Sequence, residues 1–247
     1  MAAFKDHFSK QSDQYSKFRP DYPDAMFQYL AGLCMGHDLL WDCATGSGQA
    51  ARGFSPYFKK IYASDGSEKQ INNAHGPDNI DFVVADAAKS GLADHSVDLV
   101  SVAQALHWFD LDAFYAEVRR VLKPGGIIAV WCYGLMEIDP EIDTLFYEFY
   151  DGVVGPYWPP ERVHIERGYS DLDFPFEKIE TPAFAMDLKW DLDAFLGYLS
   201  TWSATTRYIA EKGHDPVALY ADKFRVVWKG QPYKEINWPI TLLAGRV

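Results

Sequence analysis

The chain has 247 residues, 48% of them hydrophobic and 16% aromatic, which is enough for one large domain with a substantial core. Its 35 acidic and 23 basic residues give a net charge of −12, and because proteins that bind nucleic acid usually present a basic face, nucleic acid is not an expected partner. No apolar run is long enough to cross a membrane, and the polar, acid-containing residues 1–18 lack the pattern of a signal or transit peptide.

The predicted elements begin with two helices. Residues 4–18 carry aromatic side chains at a spacing that places them on one face of an amphipathic helix. The prolines of the segment 19–23 interrupt this helix, because proline restricts its own backbone and that of the preceding residue. A second helix is predicted over residues 23–33.

Strands and helices then alternate along the middle of the chain. The strands are predicted at residues 39–41, 60–64, 80–85, 97–103 and 126–132. The intervening helices are predicted at residues 49–58, 67–74 and 111–122, with a short helical stretch near 87–92. This alternation is typical of an α/β fold with a parallel, doubly wound sheet, whose crossover connections are right-handed.

The second half of the chain is richer in aromatic residues. Helices are predicted at residues 138–154, 191–209 and 216–228, a rigid aromatic loop at 155–160, and strands at 179–190 and 236–243. We expect this half to cover a crevice at the carboxyl ends of the parallel strands.

A glycine turn follows the first predicted strand. The apolar run 39–41 ends in Asp42, and Gly46 and Gly48 then let the backbone adopt positive φ and let a ligand approach the main chain. A strand that opens into such a turn before a helix is typical of nucleotide sites in open α/β sheets. Residues 46–51 also fit the G-x-G-x-x-A dinucleotide pattern, so a nicotinamide-dependent oxidoreductase is one interpretation. The Asp42 carboxylate, however, would repel a diphosphate, and it suits a cationic ligand such as S-adenosylmethionine.

Three further polar residues follow predicted strands at the same edge of the sheet. Asp65 is placed to accept hydrogen bonds from ribose hydroxyls, and Asp86 from an adenine amino group. Gln104 follows the fourth strand, near the place of the sulfonium end. Either acidic residue alone is commonly a helix cap or a turn residue. Acids at the ends of three successive strands, together with the glycine loop, favour a cofactor site.

These residues belong to a set of motifs between residues 40 and 133. The motifs are DCATGSG at 42–48, DGS at 65–67, ADA at 85–87, SVAQALHW at 101–108 and VLKPGG at 121–126. Through them the chain resembles the class I S-adenosylmethionine-dependent methyltransferases. The resemblance implies a cofactor site made of Asp42, Ala44, Thr45, Gly46, Ser47, Gly48, Asp65, Gly66, Ser67, Asp86, Ala87 and Gln104. Ala44 departs from the pattern, because the family often has glycine there.

A narrower resemblance rests on residues 15–23, on 105–109 and on Tyr157 with Trp158. In these segments the chain is similar to the trans-aconitate methyltransferase-like group (methyltransferase type 11), whose members typically esterify small carboxylic acids. The resemblance implies a Rossmann-like three-layer sandwich with a seven-stranded, mostly parallel sheet whose last strand is antiparallel. It implies a single domain with a helical arm at 1–37, a cofactor-binding core at 38–134, substrate-covering helices at 135–178 and 191–230, and the last two strands at 179–190 and 234–247.

The chemistry of the acceptor decides which residues the reaction needs. Methyl transfer from a sulfonium is an in-line displacement, and a carboxylate with a pKa of about 4 is already ionised at pH 7, so it needs no general base. His107 follows the fourth strand and is a candidate base, hydrogen-bond donor or packing residue. Arg19 is a candidate clamp for a substrate carboxylate, or a tie for the N-terminal arm. Tyr15 is a candidate contact to the cofactor or acceptor, or a core residue.

Aromatic side chains supply candidate walls for the acceptor pocket, as an apolar lining, as a cation–π cage for the sulfonium, or simply as core. They are Trp108, Trp131, Tyr133, Tyr157, Trp158 and Trp202. The expected partner is a small-molecule acceptor, with no nucleic acid, membrane or metal, and we expect a monomer or weak homodimer. Three isolated cysteines predict reduced thiols in a cytoplasmic protein. The alternative to an enzyme is a non-catalytic S-adenosylmethionine-binding sensor or partner subunit.

Overall fold

A parallel sheet that continues into an antiparallel edge forms the centre of the molecule. The computed structural model describes residues 20–247, so the predicted helix at 4–18, with Tyr15 and Arg19, lies outside the described residues. The strands are β1 (Leu39–Cys43), β2 (Lys60–Asp65), β3 (Ile80–Val84), β4 (Val97–Ala103), β5 (Leu122–Tyr133), β6 (Glu177–Ile179), β7 (Phe184–Trp190) and β8 (Lys234–Arg246). Their order across the sheet is β3-β2-β1-β4-β5-β8-β6, with β7 also paired to β8.

Helices flank the sheet and continue into the covering half. They are α1 (Asp24–Gly32), α2 (Gln49–Phe54), α3 (Glu68–Asn73), α4 (Leu111–Val121), α5 (Pro140–Tyr147), α6 (Arg162–Glu166), α7 (Leu192–Ser200), α8 (Ser203–Lys212) and α9 (Pro216–Trp228). Turns of 3-10 helix at Leu106–Trp108 and Gly155–Tyr157, and a π-helical turn at Glu148–Val153, complete the helical segments of residues 20–247. No helix in this part of the chain is long and apolar enough to span a membrane.

Strands β1 to β5 pair in parallel, and the strand order switches direction at β1. This strand pairs with β2 on one edge, where Asp42 lies beside Ala63, and with β4 on the other, where Asp42 lies beside Ser101. Such a switch point opens a crevice at the carboxyl ends of the two strands. Strand β8 runs antiparallel to β5, with Trp131 opposite Leu242. The predicted Rossmann-like α/β fold, mostly parallel with an antiparallel last strand, is confirmed.

Strands β6 and β7 behave as one interrupted strand. Both pair with the same edge of β8, because β5 occupies the other edge. Ile179 lies opposite Ala244 and Phe184 opposite Ile240, so four intervening residues on one side match three on the other and the register shifts by one. The segment 180–183 between them contains a proline, which has no N–H to donate to a ladder. Counted together, β6 and β7 correspond to the single strand predicted here and give a sheet of seven strands.

Two apolar clusters, one on each face of the sheet, make the core. Alternate residues of β5 enter opposite clusters, so that Trp131 shares a cluster with α1 and α2, and Cys132 shares one with α4. The covering helices α5, α7 and α9 belong to the same cluster as α1 and α2. These three helices therefore extend one face of the sheet, whereas Ile165 of α6 and Tyr169 join the cluster on the other face. Burial of both faces explains the near-continuous apolar runs of the strands.

Two predicted helices differ from the structure because polar side chains divert the backbone. The stretch near 87–92 is a turn and not a helix, since the Asp86 carboxylate accepts from the backbone N–H two residues further on, at 2.8 Å. The predicted helix 191–209 is two helices, α7 and α8. They break at Thr201, whose hydroxyl donates to the Tyr198 carbonyl at 2.7 Å. Helix α6 and the 3-10 turn at Leu106–Trp108 were not predicted from the sequence. The other differences are shifts at element ends, except that the first covering helix continues as a π-helical turn.

Candidate active site

The loop after β1 carries three residues with positive φ. Ala44 and Gly46 both have φ 56°, and Gly48 has φ 82°. A Cβ added to Gly48 would lie 2.7 Å from the Phe82 ring, so packing excludes a side chain there. A Cβ added to Gly46 would meet no heavy atom within 4 Å, so this glycine borders open space. Gly46 is therefore the point of the loop at which a ligand can approach the main chain.

Asp42 lies beneath this loop and does not face the crevice. Its side chain is fully buried, with Oδ2 accepting from the Thr45 hydroxyl at 2.5 Å and Oδ1 from the Ser101 hydroxyl at 2.7 Å. Burial raises the pKa of Asp42 to about 6, although both hydroxyl groups act to lower it. This geometry corrects the expectation that the carboxylate meets a cationic ligand directly. Asp42 instead links the loop to β4.

Asp65, at the end of β2, joins the glycine loop to the turn that begins α3. Its Oδ2 accepts from the Gly46 N–H at 2.9 Å, and its Oδ1 accepts from the Ser67 N–H at 2.8 Å. Ser67 in turn caps α3 by accepting from the Gln70 N–H at 3.4 Å, while Gly66 is exposed. The first two cofactor motifs are thus one hydrogen-bonded unit.

The ends of β3 and β4 complete this edge of the crevice. The residue before Asp86 donates its N–H to the Asp65 carbonyl at 3.1 Å, which sets the exposed Asp86 beside the end of β2. Gln104 has φ 57°, a strained backbone for a glutamine, and its N–H donates to the Trp131 carbonyl at 2.9 Å. Its Nε2 donates to the Tyr133 carbonyl at 3.0 Å.

The other predicted cofactor residues differ in burial. Thr45, Gly48 and Ser67 are buried, and Ala44, Gly46, Ser47 and Ala87 are half-buried.

His107 lies on the short 3-10 helix after β4 and faces a buried tyrosine. Its Nδ1 lies 3.0 Å from the Tyr169 hydroxyl, and its ring centre lies 4.6 Å from that of Trp108. Burial lowers the pKa of His107 to about 3, and the charges of Arg162 and His164 act in the same direction. Tyr169 has φ 59°, an unusual backbone for an aromatic residue, and burial raises the pKa of its phenol well above the usual value. The imidazole is therefore neutral, and the phenol protonated, at pH 7.

A cation that the sequence analysis did not identify lies over the same end of the sheet. Arg162 begins α6, and its Nε donates to the Tyr150 hydroxyl at 3.0 Å. Its guanidinium carbon lies 4.9 Å from the Trp158 ring centre and 5.7 Å from that of Tyr150. Helix α6 packs against the 3-10 helix that carries His107, and the charge of Arg162 acts to lower the pKa of His107. The sequence signal is weak, because a lone arginine after the aromatic loop does not reveal neighbours that are distant along the chain.

The six predicted wall residues divide into core and partly exposed side chains. Trp131, Tyr133 and Trp202 are buried, with 0%, 5% and 4% of their surface exposed. For Trp131 this corrects the expectation of a pocket wall, since a fully buried indole belongs to the core. Trp108, Tyr157 and Trp158 are half-buried. The buried indole Nε1 of Trp158 has no hydrogen-bond partner among residues 20–247.

A separate cavity of about 600 Å³ lies between the start of α5 and the paired strands β7 and β8. Its acidic lining residues are Glu137, Asp139, Asp143, Asp187 and Glu235. In the described part of the chain, no group of three or more His, Cys, Asp or Glu could hold a metal ion. The cavity shares no lining residue with the crevice and has no part in the function proposed below.

Known proteins resemble the chain over its full length. Residues 41–130 match the family model described as a methyltransferase domain. The sequence is 32% identical to a Dictyostelium discoideum protein named as a methyltransferase, over 98% of this chain and 95% of that one. It is 30% identical to a Saccharomyces cerevisiae protein named as an S-adenosylmethionine-dependent methyltransferase, over 56% of this chain and 52% of that one. A solved structure from Anaeromyxobacter dehalogenans, named as a type II methyltransferase, is 44% identical with a TM-score of 0.87, and the match covers 92% of this chain and 97% of that one.

The geometry fits the cofactor of this family. Gly46 borders open space, Asp65 ends the neighbouring strand, and Asp86 is exposed at the next one. A close-approach glycine and acids at successive strand ends suit a nucleoside cofactor, and the methyltransferase matches set aside the nicotinamide interpretation of residues 46–51. The chain belongs to the class I S-adenosylmethionine-dependent methyltransferases, and S-adenosyl-L-methionine is its cofactor.

Proposed function

We propose that this methyltransferase transfers a methyl group to a carboxylate oxygen of a small molecule. The observation that carries the proposal is His107, which has a pKa of about 3 and is therefore a weak base. The neighbouring Cys132 thiol, with a pKa of about 12, and the Tyr169 phenol both hold their protons at pH 7. An acceptor that must lose a proton finds no strong base among these groups. A carboxylate, with a pKa of about 4, is already ionised at pH 7 and needs none.

In this proposal the strand ends hold the cofactor. The Gly46 loop offers its main chain, and the Asp65 carboxylate accepts from the ribose hydroxyls. Asp86 accepts from the adenine amino group, and Gln104 lies beside the sulfonium end. Asp42 does not contact the cofactor in this proposal; it supports the site indirectly, because its hydrogen bonds hold the loop and β4 together. When bound, S-adenosylmethionine supplies a methyl group that the acceptor oxygen displaces from sulfur, leaving a neutral thioether without any proton transfer.

The segments 135–178 and 191–230 cover the acceptor in this proposal and exclude water from it. A contact between the two segments supports their acting together: the Tyr157 hydroxyl donates to Glu211 at 3.3 Å, and its ring lies 5.2 Å from that of Tyr208. A cover of this kind holds the acceptor oxygen in line with the methyl carbon, and such positioning contributes roughly 7–11 kcal/mol to the lowering of a barrier.

Two measurements test the proposal. The first is calorimetric titration with S-adenosylmethionine and, separately, with NAD, and we expect binding of the former alone. The second is incubation with methyl-labelled S-adenosylmethionine and a panel of small carboxylic acids, aconitate among them, each paired with its primary amide. Methylation of an acid but not of its amide supports the proposal, and methylation only of amines or phenols overturns it. Cofactor binding without transfer to any component of a small-molecule extract supports the non-catalytic sensor instead.

A further inference from the structure

We propose that Arg162 binds the carboxylate of the methyl acceptor, an inference that deepens the proposed function and rests on it. The Arg162 side chain is only 18% exposed. A guanidinium withdrawn this far from solvent is stabilised by an anion, because desolvation disfavours an isolated charge. Within residues 20–247 its carboxylate neighbour is Glu166, which is 4.0 Å from Nε and 43% exposed. This distant, solvated partner leaves the guanidinium suited to a second anion.

Contacts on one side of Arg162 fix the plane of its guanidinium. The Nε donates to the Tyr150 hydroxyl, which itself donates to Glu166. The rings of Tyr150 and Trp158 lie 5.2 Å apart, and the guanidinium stacks against both. Its two terminal amino groups have no hydrogen-bond partner in the described part of the chain. The hydrogen bond to Nε and the ring contacts hold the guanidinium, and its two terminal amino groups are unpaired there. This arrangement is preorganised for bidentate binding of a carboxylate.

The neighbours of Arg162 indicate the class of acid. The guanidinium lies over the indole of Trp158, whose buried Nε1 has no hydrogen-bond partner among residues 20–247. The rings of His107 and Trp108, tilted at 46° to each other, supply an uncharged aromatic surface after β4. A donor fork next to aromatic rings fits a small carboxylate on a flat apolar body.

The test compares benzoate with benzamide as probes of the same shape, of which only benzoate is charged. Binding of each is measured by calorimetry with protein saturated with S-adenosylhomocysteine, for the wild type and for Arg162→Gln and Arg167→Gln. Arg167 is a matched control, because it lies on the same segment, is 59% exposed and pairs with Asp171. Arg19→Gln is added because Arg19 is the candidate clamp named from the sequence and lies outside the described residues. Unchanged affinity for S-adenosylmethionine shows that each variant is folded.

We expect the wild type to bind benzoate more tightly than benzamide. Arg162→Gln should weaken benzoate binding by about tenfold to a hundredfold, the usual effect of removing hydrogen bonds to a charged group. Arg167→Gln should stay within about twofold of the wild type, as surface substitutions do, whereas Arg19→Gln distinguishes between the two candidate clamps. Equal benzoate affinity in wild type and Arg162→Gln, loss in Arg19→Gln instead, or no preference of the wild type for benzoate would each overturn the inference. Benzoate binding that depends on Arg162, without methyl transfer to any acid, would count against the proposed reaction alone.

Discussion

The Gly46 N–H donates to the Asp65 carboxylate at 2.9 Å, so the tip of the glycine loop is fixed by the end of the neighbouring strand. The other oxygen of Asp65 accepts from the Ser67 N–H at 2.8 Å. One largely buried carboxylate therefore orders two separate turns at the proposed ribose site, and its removal leaves two backbone donors without this partner.

Asp65→Ala is accordingly expected to weaken S-adenosylmethionine binding by about a hundredfold and to lower the free energy of unfolding by about 1–3 kcal/mol, because backbone donors lose their acceptor. Calorimetric titration and urea unfolding measure the two effects. Asp86→Ala is the control: its exposed carboxylate accepts from one backbone N–H, so its stability loss should stay below about 1 kcal/mol. Unchanged cofactor affinity in Asp65→Ala would refute the site assignment.

Gly46→Val should abolish cofactor binding while leaving the protein folded. Gly46 and Gly213 form a matched pair, since both have positive φ (56° and 75°) and neither would place a Cβ within 4 Å of another atom. Gly213 follows α8, away from the crevice. Backbone strain should reduce the stability of each valine variant by about 1–2 kcal/mol. Titration should then show lost affinity in Gly46→Val only, and a similar loss in both would mean that strain, and not a filled crevice, is responsible.

Ala44→Gly should leave stability unchanged or raise it by up to about 1 kcal/mol, because glycine relieves the left-handed backbone at φ 56° and offsets its own entropic penalty. Ala129→Gly in β5 is the control. That alanine is fully buried in a regular strand, so glycine there should cost about 1 kcal/mol. Urea midpoints compare the two variants, and equal losses would show that Ala44 is not strained.

Asp42→Asn tests the buried carboxylate through pH. Burial raises the pKa of Asp42 from an ordinary 3.8 to about 6, so the folded state holds this proton more tightly than the unfolded state does. The stability associated with the protonated form is therefore complete below about pH 4 and is lost as the pH rises to about 6. Wild type should lose up to about 3 kcal/mol relative to Asp42→Asn across this interval. Parallel unfolding curves from pH 4 to pH 8 measure the difference, and a constant difference would contradict the raised pKa.

The rate of methyl transfer should show no step near pH 6.5. His107 is neutral throughout the range above its pKa of about 3, and a carboxylate acceptor is ionised above about pH 5. The measurement is kcat/KM against pH from 5 to 8, with His107→Gln beside the wild type. A limb in the wild-type profile with a pKa of 6 to 7 that disappears in His107→Gln would identify His107 as a general base and remove the main support for a carboxylate acceptor.

The sequence was sufficient for the parallel sheet and for the residues that end its strands. Strand–helix alternation depends on local pattern, and residues such as Asp65 and Asp86 gather at one edge because parallel strands place their carboxyl ends together. The burial of Asp42 could not be predicted, because it depends on the hydroxyl of Ser101 on β4, which only the pairing of the two strands brings close.

The acceptor side was harder to predict for two physical reasons. Composition does not distinguish an aromatic pocket wall from an aromatic core, and Trp131 proved to be core. Arg162 acquires its setting from Tyr150 and Trp158 and from the strand ends near His107, which are contacts between segments far apart in the chain. Local sequence patterns do not predict contacts of this kind, so Arg162 was not among the candidates named from the sequence and Arg19 was.

The pairing of Trp190 with Lys234 has a consequence for the divergence and engineering of this enzyme. The segment 191–233, with α7, α8 and α9, leaves the sheet and re-enters it at two residues that already lie opposite each other. The segment is an insertion between two paired strands, and its length can change without moving any strand that shapes the cofactor crevice. In the proposed function this segment covers the acceptor, and grafting it from one relative to another is then a route to new acceptor selectivity on an unaltered cofactor scaffold.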